Sequence, residues 1–206
     1  MPGGRPPVAT RVMASIAVVL VVAAVGVGVW TLGHHGGTPH VNNTPSQQPT
    51  HSAPRLAVLP ADSAAAFGPS GGDNPAQAPL AIDNSATTDW YTDSYQQSPH
   101  FGNLYGGTGL VLDMGKQVKV SSVTVTFGSV PGAHARIEVG NDNTGTSPNG
   151  AATLGHTTNA VRTMTFTGHP VTGRFVFIWF TKLAPQRGAA GHFQADVFNV
   201  VVKGSS

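Results

Sequence analysis

Between Asp83 and Tyr105 the chain gathers most of the residue types that could bind or react. Three carboxylates, Asp83, Asp89 and Asp93, are interleaved with Ser85, Thr87, Thr88 and Ser94, and with Trp90, Tyr91, Tyr95, His100, Phe101 and Tyr105. Aromatic faces flanked by polar groups suit a saccharide, because a pyranose presents C–H faces rimmed by hydroxyls. Tyr91, Tyr95, His100 and Tyr105 are therefore the candidate ligand-binding residues. Catalysis is poorly served. The one glutamate, Glu138, falls in an alternating segment that should turn it to solvent, and loop carboxylates beside hydroxyls act as turn formers. No nucleophile elbow, H-E-x-x-H pair or phosphate-cradling glycine loop occurs. Five of the nine histidines (His100, His134, His156, His169, His192) follow Phe67, none with a partner at ligand spacing. No enzyme is expected, and no catalytic residue is assigned.

The elements that must position this stretch read as strands. Val123, Val125 and Phe127 alternate with Thr124 and Thr126, and Val161–Phe166 alternates again. "GLVLDMG" (109–115) is bounded by glycines, "GRFVFIWFTKL" (173–183) is apolar on both faces, and "FQADVFNVVVKG" closes the region. Between "ARIEVG" and the next strand, "NDNTGTSPNG" (141–150) is a surface loop. No helical period persists, so seven or so strands with frequent turns predict an all-β antiparallel sandwich. Phe166, Phe175, Phe177, Trp179 and Phe198 are its expected core.

Composition bounds the setting. The chain has 206 residues, of which 10% are charged and 42 are Gly or Pro. Cysteine is absent, which excludes disulfides and thiolate metal sites. From Phe67 onward eight Lys and Arg balance eight Asp and Glu, so no basic face exists for nucleic acid. Residues 12–32, "VMASIAVVLVVAAVGVGVWTL", form a charge-free run of 21. As a helix it would reach about 31 Å, enough to cross a hydrocarbon core. Its length and its Val29–Leu32 end do not suit a cleaved signal peptide. Arg5 and Arg11 precede it, and no Lys or Arg follows before Arg55, so residues 1–11 are placed in the cytoplasm and the remainder outside. Residues 33–66 are rich in Pro, Gly, Ser and His and read as a disordered linker. His34, His35, His40 and His51 within it match no fixed metal spacing.

The ordered segments "GGDNPAQAPLAIDNSATTDWYTDSY", "GTGLVLDMG", "VSSVTVTF", "GRFVFIWFTKL" and "ADVFNVVVKG" resemble galactose-binding-like jelly-roll sandwiches, the superfamily of discoidin and F5/8 type C domains. Asp83, Thr87 or Thr88, and Trp90 stand in their A-x-D-G-D-x-x-T-x-W signature, while the D-G-D itself is Asp83-Asn84-Ser85 here. Residues 67–204 also look like the extracellular tail of actinobacterial MviN-type lipid II flippases and transmembrane Ser/Thr kinases.

The resemblance implies a fold of this kind and gives Trp90 to the core. It further implies a structural Ca2+ between the loop and the last strand, with Asp83, Ser85, Thr88 and Asn199 in the ligand positions. Ser85 stands where an Asp is usual and Asn199 where a Glu is usual. One negative charge would remain, which predicts weak binding or none; the alternative is that these groups hydrogen-bond the loop to the last strand. The functional expectation is a membrane-anchored, extracytoplasmic module that recognises a glycan or cell-wall component. Its alternative is a protein-interaction module beside a flippase or kinase, marked by a flat apolar patch.

Overall fold

A computed structural model describes residues 56–206. The expected cytoplasmic segment 1–11, membrane span 12–32 and linker residues 33–55 lie outside the described residues. Among the described residues no helix is long and apolar enough to cross a membrane.

The described residues form eleven strands: β1 (Ala57–Leu59), β2 (Ser63–Phe67), β3 (Trp90–Tyr91), β4 (Tyr95–Gln96), β5 (Thr108–Phe127), β6 (Ala133–Gly140), β7 (Ala152–Ala160), β8 (Thr163–Lys182), β9 (Ala184–Pro185), β10 (His192–Gln194) and β11 (Asp196–Ser205). All their pairings are antiparallel. The main sheet runs β1-β11-β5-β8-β6-β7, with β2 added to β5 and β3 to β11. A small sheet, β4-β10-β9, stands apart from it.

β5 and β8 are the frame, each 20 residues long. The first half of β5 pairs with the second half of β8, from Thr108↔Phe180 to Asp113↔Phe175. Its second half pairs with the first half of β8, from Val118↔Gly173 to Thr126↔Thr163. Register shifts between Asp113 and Val118, and between Val120 and Ser122, mark the bends. One long ribbon thus contributes to both layers. The sequence reading divided each of these strands in two, because glycine at 109–115 and 168–173 reads as a boundary where it serves as a bend.

Alternation does the rest. Leu110, Leu112, Ile137, Val139, Val176, Ile178 and Phe180 from one half meet Val123, Val125, Phe127, Val200 and Val202 from the other in one buried cluster. The Phe127 ring meets Phe180 edge-on at 6.0 Å and Phe166 at 6.2 Å. Residues 175–180 are buried on both faces, as their unbroken apolar run requires. Phe175, Phe177 and Trp179 point the other way, into a second cluster with Phe67 and Val111. Arg174 lies 5.2 Å from the Phe175 ring centroid.

Two expectations are corrected here. The linker does not extend to residue 66. Ala57–Leu59 pairs with Val202–Gly204, and Ser63–Phe67 pairs with Gly109–Asp113. "SAAAF" has little strand propensity of its own, but an available edge of β5 satisfies its backbone and Ala64 and Phe67 become buried. Glu138 does not face solvent either. It is 2% exposed, paired with Arg136 and contacted by the Thr153 hydroxyl at 3.4 Å. Burial raises its carboxyl above the usual range, with Arg136 acting against that rise.

Candidate functional site

The Asp83 loop closes on itself. Asp83 Oδ1 accepts the Ser85 N–H at 2.8 Å and Oδ2 accepts the Thr88 hydroxyl at 2.7 Å. Ser85 Oγ in turn accepts the N–H groups of Thr87 and Thr88 at 3.2 and 3.3 Å. The Thr88 and Ser85 donors hold the Asp83 carboxyl below its ordinary range. On β11, Asn199 Oδ1 is buried with no hydrogen-bond partner. As a donor set for a hard cation these residues do not fit. One carboxylate is present, its oxygens and the Ser85 hydroxyl already serve the loop, and no group of three or more His, Cys, Asp or Glu occurs among the described residues.

The aromatic residues are split by the fold. Tyr95 is 8% exposed and packs edge-on against Phe101 and Tyr105, at 5.6 and 6.0 Å. Its hydroxyl donates to Asp73 Oδ2 at 2.9 Å and meets the Tyr105 hydroxyl. Tyr105 stacks on Phe101 at 5.5 Å and donates to Asp73 Oδ1 at 3.3 Å. Burial raises the Asp73 carboxyl despite these donors, and burial pushes the Tyr105 phenol up to about 12. Tyr95 is thus an internal strut rather than a ligand platform. Its hydroxyl is spent on a buried acid the sequence reading did not connect to it. Tyr91, half-buried on β3, accepts at its backbone carbonyl from Asn74 Nδ2 at 3.0 Å. His100 is exposed, its Nδ1 at 3.2 Å from the Thr181 carbonyl. Trp90 is fully buried, as the resemblance implied, and donates from Nε1 to the Asp73 carbonyl at 2.8 Å.

Nor does the fold gather these residues with the Asn141–Asn149 loop. Asn141 Oδ1 accepts from Gln117 and Arg174 at one end of β6, whereas Tyr91 pairs with Asp196 beside the other.

At that other end lies a cavity of about 270 Å3. Its apolar lining includes Phe127, Val130, Phe180 and Phe198, and its polar lining Ser129, Gln186, Arg187, Gln194 and Asp196. Phe198, expected in the core, is half-buried here. The small sheet forms one wall, fastened by side chains. Ser94 Oγ donates to Gln186 Oε1 at 2.5 Å and lies 2.9 Å from His192 Nδ1. Gln186 Nε2 donates to Gln194 Oε1 at 3.1 Å, and Gln194 Nε2 to the Thr92 carbonyl at 2.9 Å. Arg187 donates to Ser129 Oγ at 2.7 Å across the mouth. Asp196 makes no side-chain hydrogen bond among the described residues. Burial, reinforced by the charge of Asp89, pushes its carboxyl up to about 6. A wider depression of about 360 Å3 over β6 and β7, between His134, Arg136, Thr153 and His156, has no large apolar wall.

Sequence reasoning missed this pocket because its parts lie in turns: Gly128–Val130, Pro185–Arg187 and the Ala195–Asp196 step. The available signal was slight. Asp196 interrupts an apolar closing strand, and Arg187 sits in the turn-rich "PQRG".

No protein-family model matches the chain. Solved structures do. Chitosan-binding module 1 of a chitosanase/glucanase from Paenibacillus sp. IK-5 is similar with TM-score 0.51 and 20% identity, over 72% of this chain and 99% of that one. CpGH89 from Clostridium perfringens, in complex with its substrate GlcNAc-alpha-1,4-galactose, matches with TM-score 0.50 and 14% identity, over 73% of this chain and 15% of that one. The family 32 carbohydrate-binding module of Clostridium perfringens NanJ, in complex with galactose, matches with TM-score 0.47 and 19% identity, over 72% and 98%. The described domain shares the fold of chitosan-binding module 1.

Proposed function

We propose that the domain is an extracytoplasmic glycan-binding module whose ligand enters the cavity between the β5–β6 turn, the β9–β10 turn and the start of β11. The lining carries this reading. It sets a carboxylate, a guanidinium and a hydroxyl around apolar surface from Val130 and Phe198, the combination a saccharide ring requires. A structural neighbour adds support through what it binds, chitosan. The spent carboxylates of Asp73 and Asp83 favour binding over catalysis. The protein-interaction alternative calls for a flat apolar patch. The exposed large apolar residues among those described are Leu56, Val58 and Leu104, the first two at β1 and the third in the turn after Phe101.

The full chain in detergent should be retained on insoluble cell-wall polysaccharide. Arg187→Ala and Phe198→Ala should each weaken retention about 10-fold, roughly 1.4 kcal/mol, with the thermal midpoint unchanged for exposed Arg187→Ala. Retention of both variants at the level of the unchanged chain would reject the pocket.

We further propose that residues 12–32 anchor the chain in the cell membrane, beside envelope proteins of the kind its tail resembles. The hydropathy and charge asymmetry of residues 1–55 support this. The protein should stay in the membrane pellet through an alkaline wash, with the domain cleaved by protease added outside intact cells. Recovery from culture fluid with an amino terminus beyond Leu32 would refute it.

A further inference from the structure

Resting on the glycan reading of the same cavity, we infer that Asp196 makes it selective for a sugar unit bearing a free amino group. The inventory of unspent groups argues for this. Gln186 and Gln194 are committed to each other and to the wall. Arg187 has given one N–H to Ser129 and keeps others for ring hydroxyls. Asp196 alone offers a charged acceptor with no donor and no cation within ion-pair distance.

The carboxylate is also seated. A Cβ on Gly128 would lie 2.5 Å from Asp196 Oδ2, so only glycine leaves room for it there. The backbone holds the seat in place, with the Gly128 N–H donating to the Asp196 carbonyl at 3.1 Å and the Arg162 N–H to the Gly128 carbonyl at 3.0 Å. A half-buried carboxylate without a partner is an arrangement that an incoming cation improves more than a neutral group does. An ammonium supplies both charge and three donors.

The charged groups on the surrounding elements are Asp89 before β3, Asp93 after it, Arg162 in the β7–β8 turn, Arg187 in the β9–β10 turn and His192 on β10. Asp89 is the one whose charge acts on Asp196, and it raises the affinity for a proton as it would for an ammonium. A proton therefore competes with the ligand. Selectivity should fall away as the carboxyl is protonated below about pH 6, and fall again at alkaline pH, where the sugar ammonium gives up its own proton.

The test is calorimetric titration of the full chain in detergent with a glucosamine trimer and with its N-acetylated counterpart. At about pH 7 the amino trimer should bind at least about 10-fold more tightly, and at about pH 5 that preference should collapse. Asp196→Asn should abolish the preference. Gly128→Ala, which displaces the carboxylate while leaving every charge in the chain, should abolish it too. Near-ultraviolet circular dichroism confirms that each variant is folded. Equal affinity for both trimers, or a preference that survives Asp196→Asn, overturns the inference and leaves the glycan reading standing. Binding of neither trimer, together with no retention on wall polysaccharide, overturns both.

Discussion

Trp90→Ala should lower the stability of the described domain by about 4 kcal/mol, the cost of emptying a large aromatic site that cannot collapse. The indole is fully buried, stacks on Phe180 with ring centroids 6.3 Å apart, and occupies the junction of β3, β11 and the Asp73 segment. Removing it also strands the Asp73 carbonyl, whose donor is the indole N–H at 2.8 Å. Urea denaturation followed by far-ultraviolet circular dichroism reads the change. Trp90→Phe separates the two parts, since it keeps most of the volume and loses only the donor. A drop below about 1 kcal/mol for the alanine variant would mean that Trp90 does not hold this junction.

Gly109→Ala should cost about 3 kcal/mol, although one methyl group is added and the residue lies in an ordinary strand. A Cβ there would collide with the carbonyl oxygen of Ile178 and come within 3.1 Å of Trp179 Cα. Both are backbone atoms of β8, so no rotamer change can relieve the overlap. The strain would fall on the β5–β8 ribbon, which carries both layers. Gly145→Ala is the control. Its nearest neighbour would be the Ser147 carbonyl at 3.4 Å in the exposed β6–β7 loop, and its effect should lie within about 0.5 kcal/mol. Equal midpoints for the two variants would show that β5 and β8 approach less closely at this point.

What could be read in advance followed from local rules. Val123, Val125 and Phe127 alternate because one face of β5 meets the core, and period two survives any tertiary context. Residues 175–180 announced double burial because both of their faces are covered. Trp90 carried over from the signature. The failures have a common physical origin. Whether a glycine ends a strand or bends it depends on the partner strand, and β8 decides this for Gly115. "SAAAF" becomes a strand only because β5 has a free edge. Tyr95 looked like a surface aromatic because its partner, Asp73, is 22 residues away and the cluster they form with half-buried Tyr105 exists only after folding. Asp196 and Arg187 meet one cavity from separate turns, and nothing local joins them.

The first described strand has a consequence for presentation. β11 begins at Asp196, at the pocket, and runs ten residues away from it, a distance of roughly 30 Å. β1 pairs with its far end, Ala57 lying across from Gly204. The polypeptide therefore enters the sandwich at the pole opposite the pocket mouth. The pocket mouth thus lies clear of the strand by which the described residues enter the sandwich.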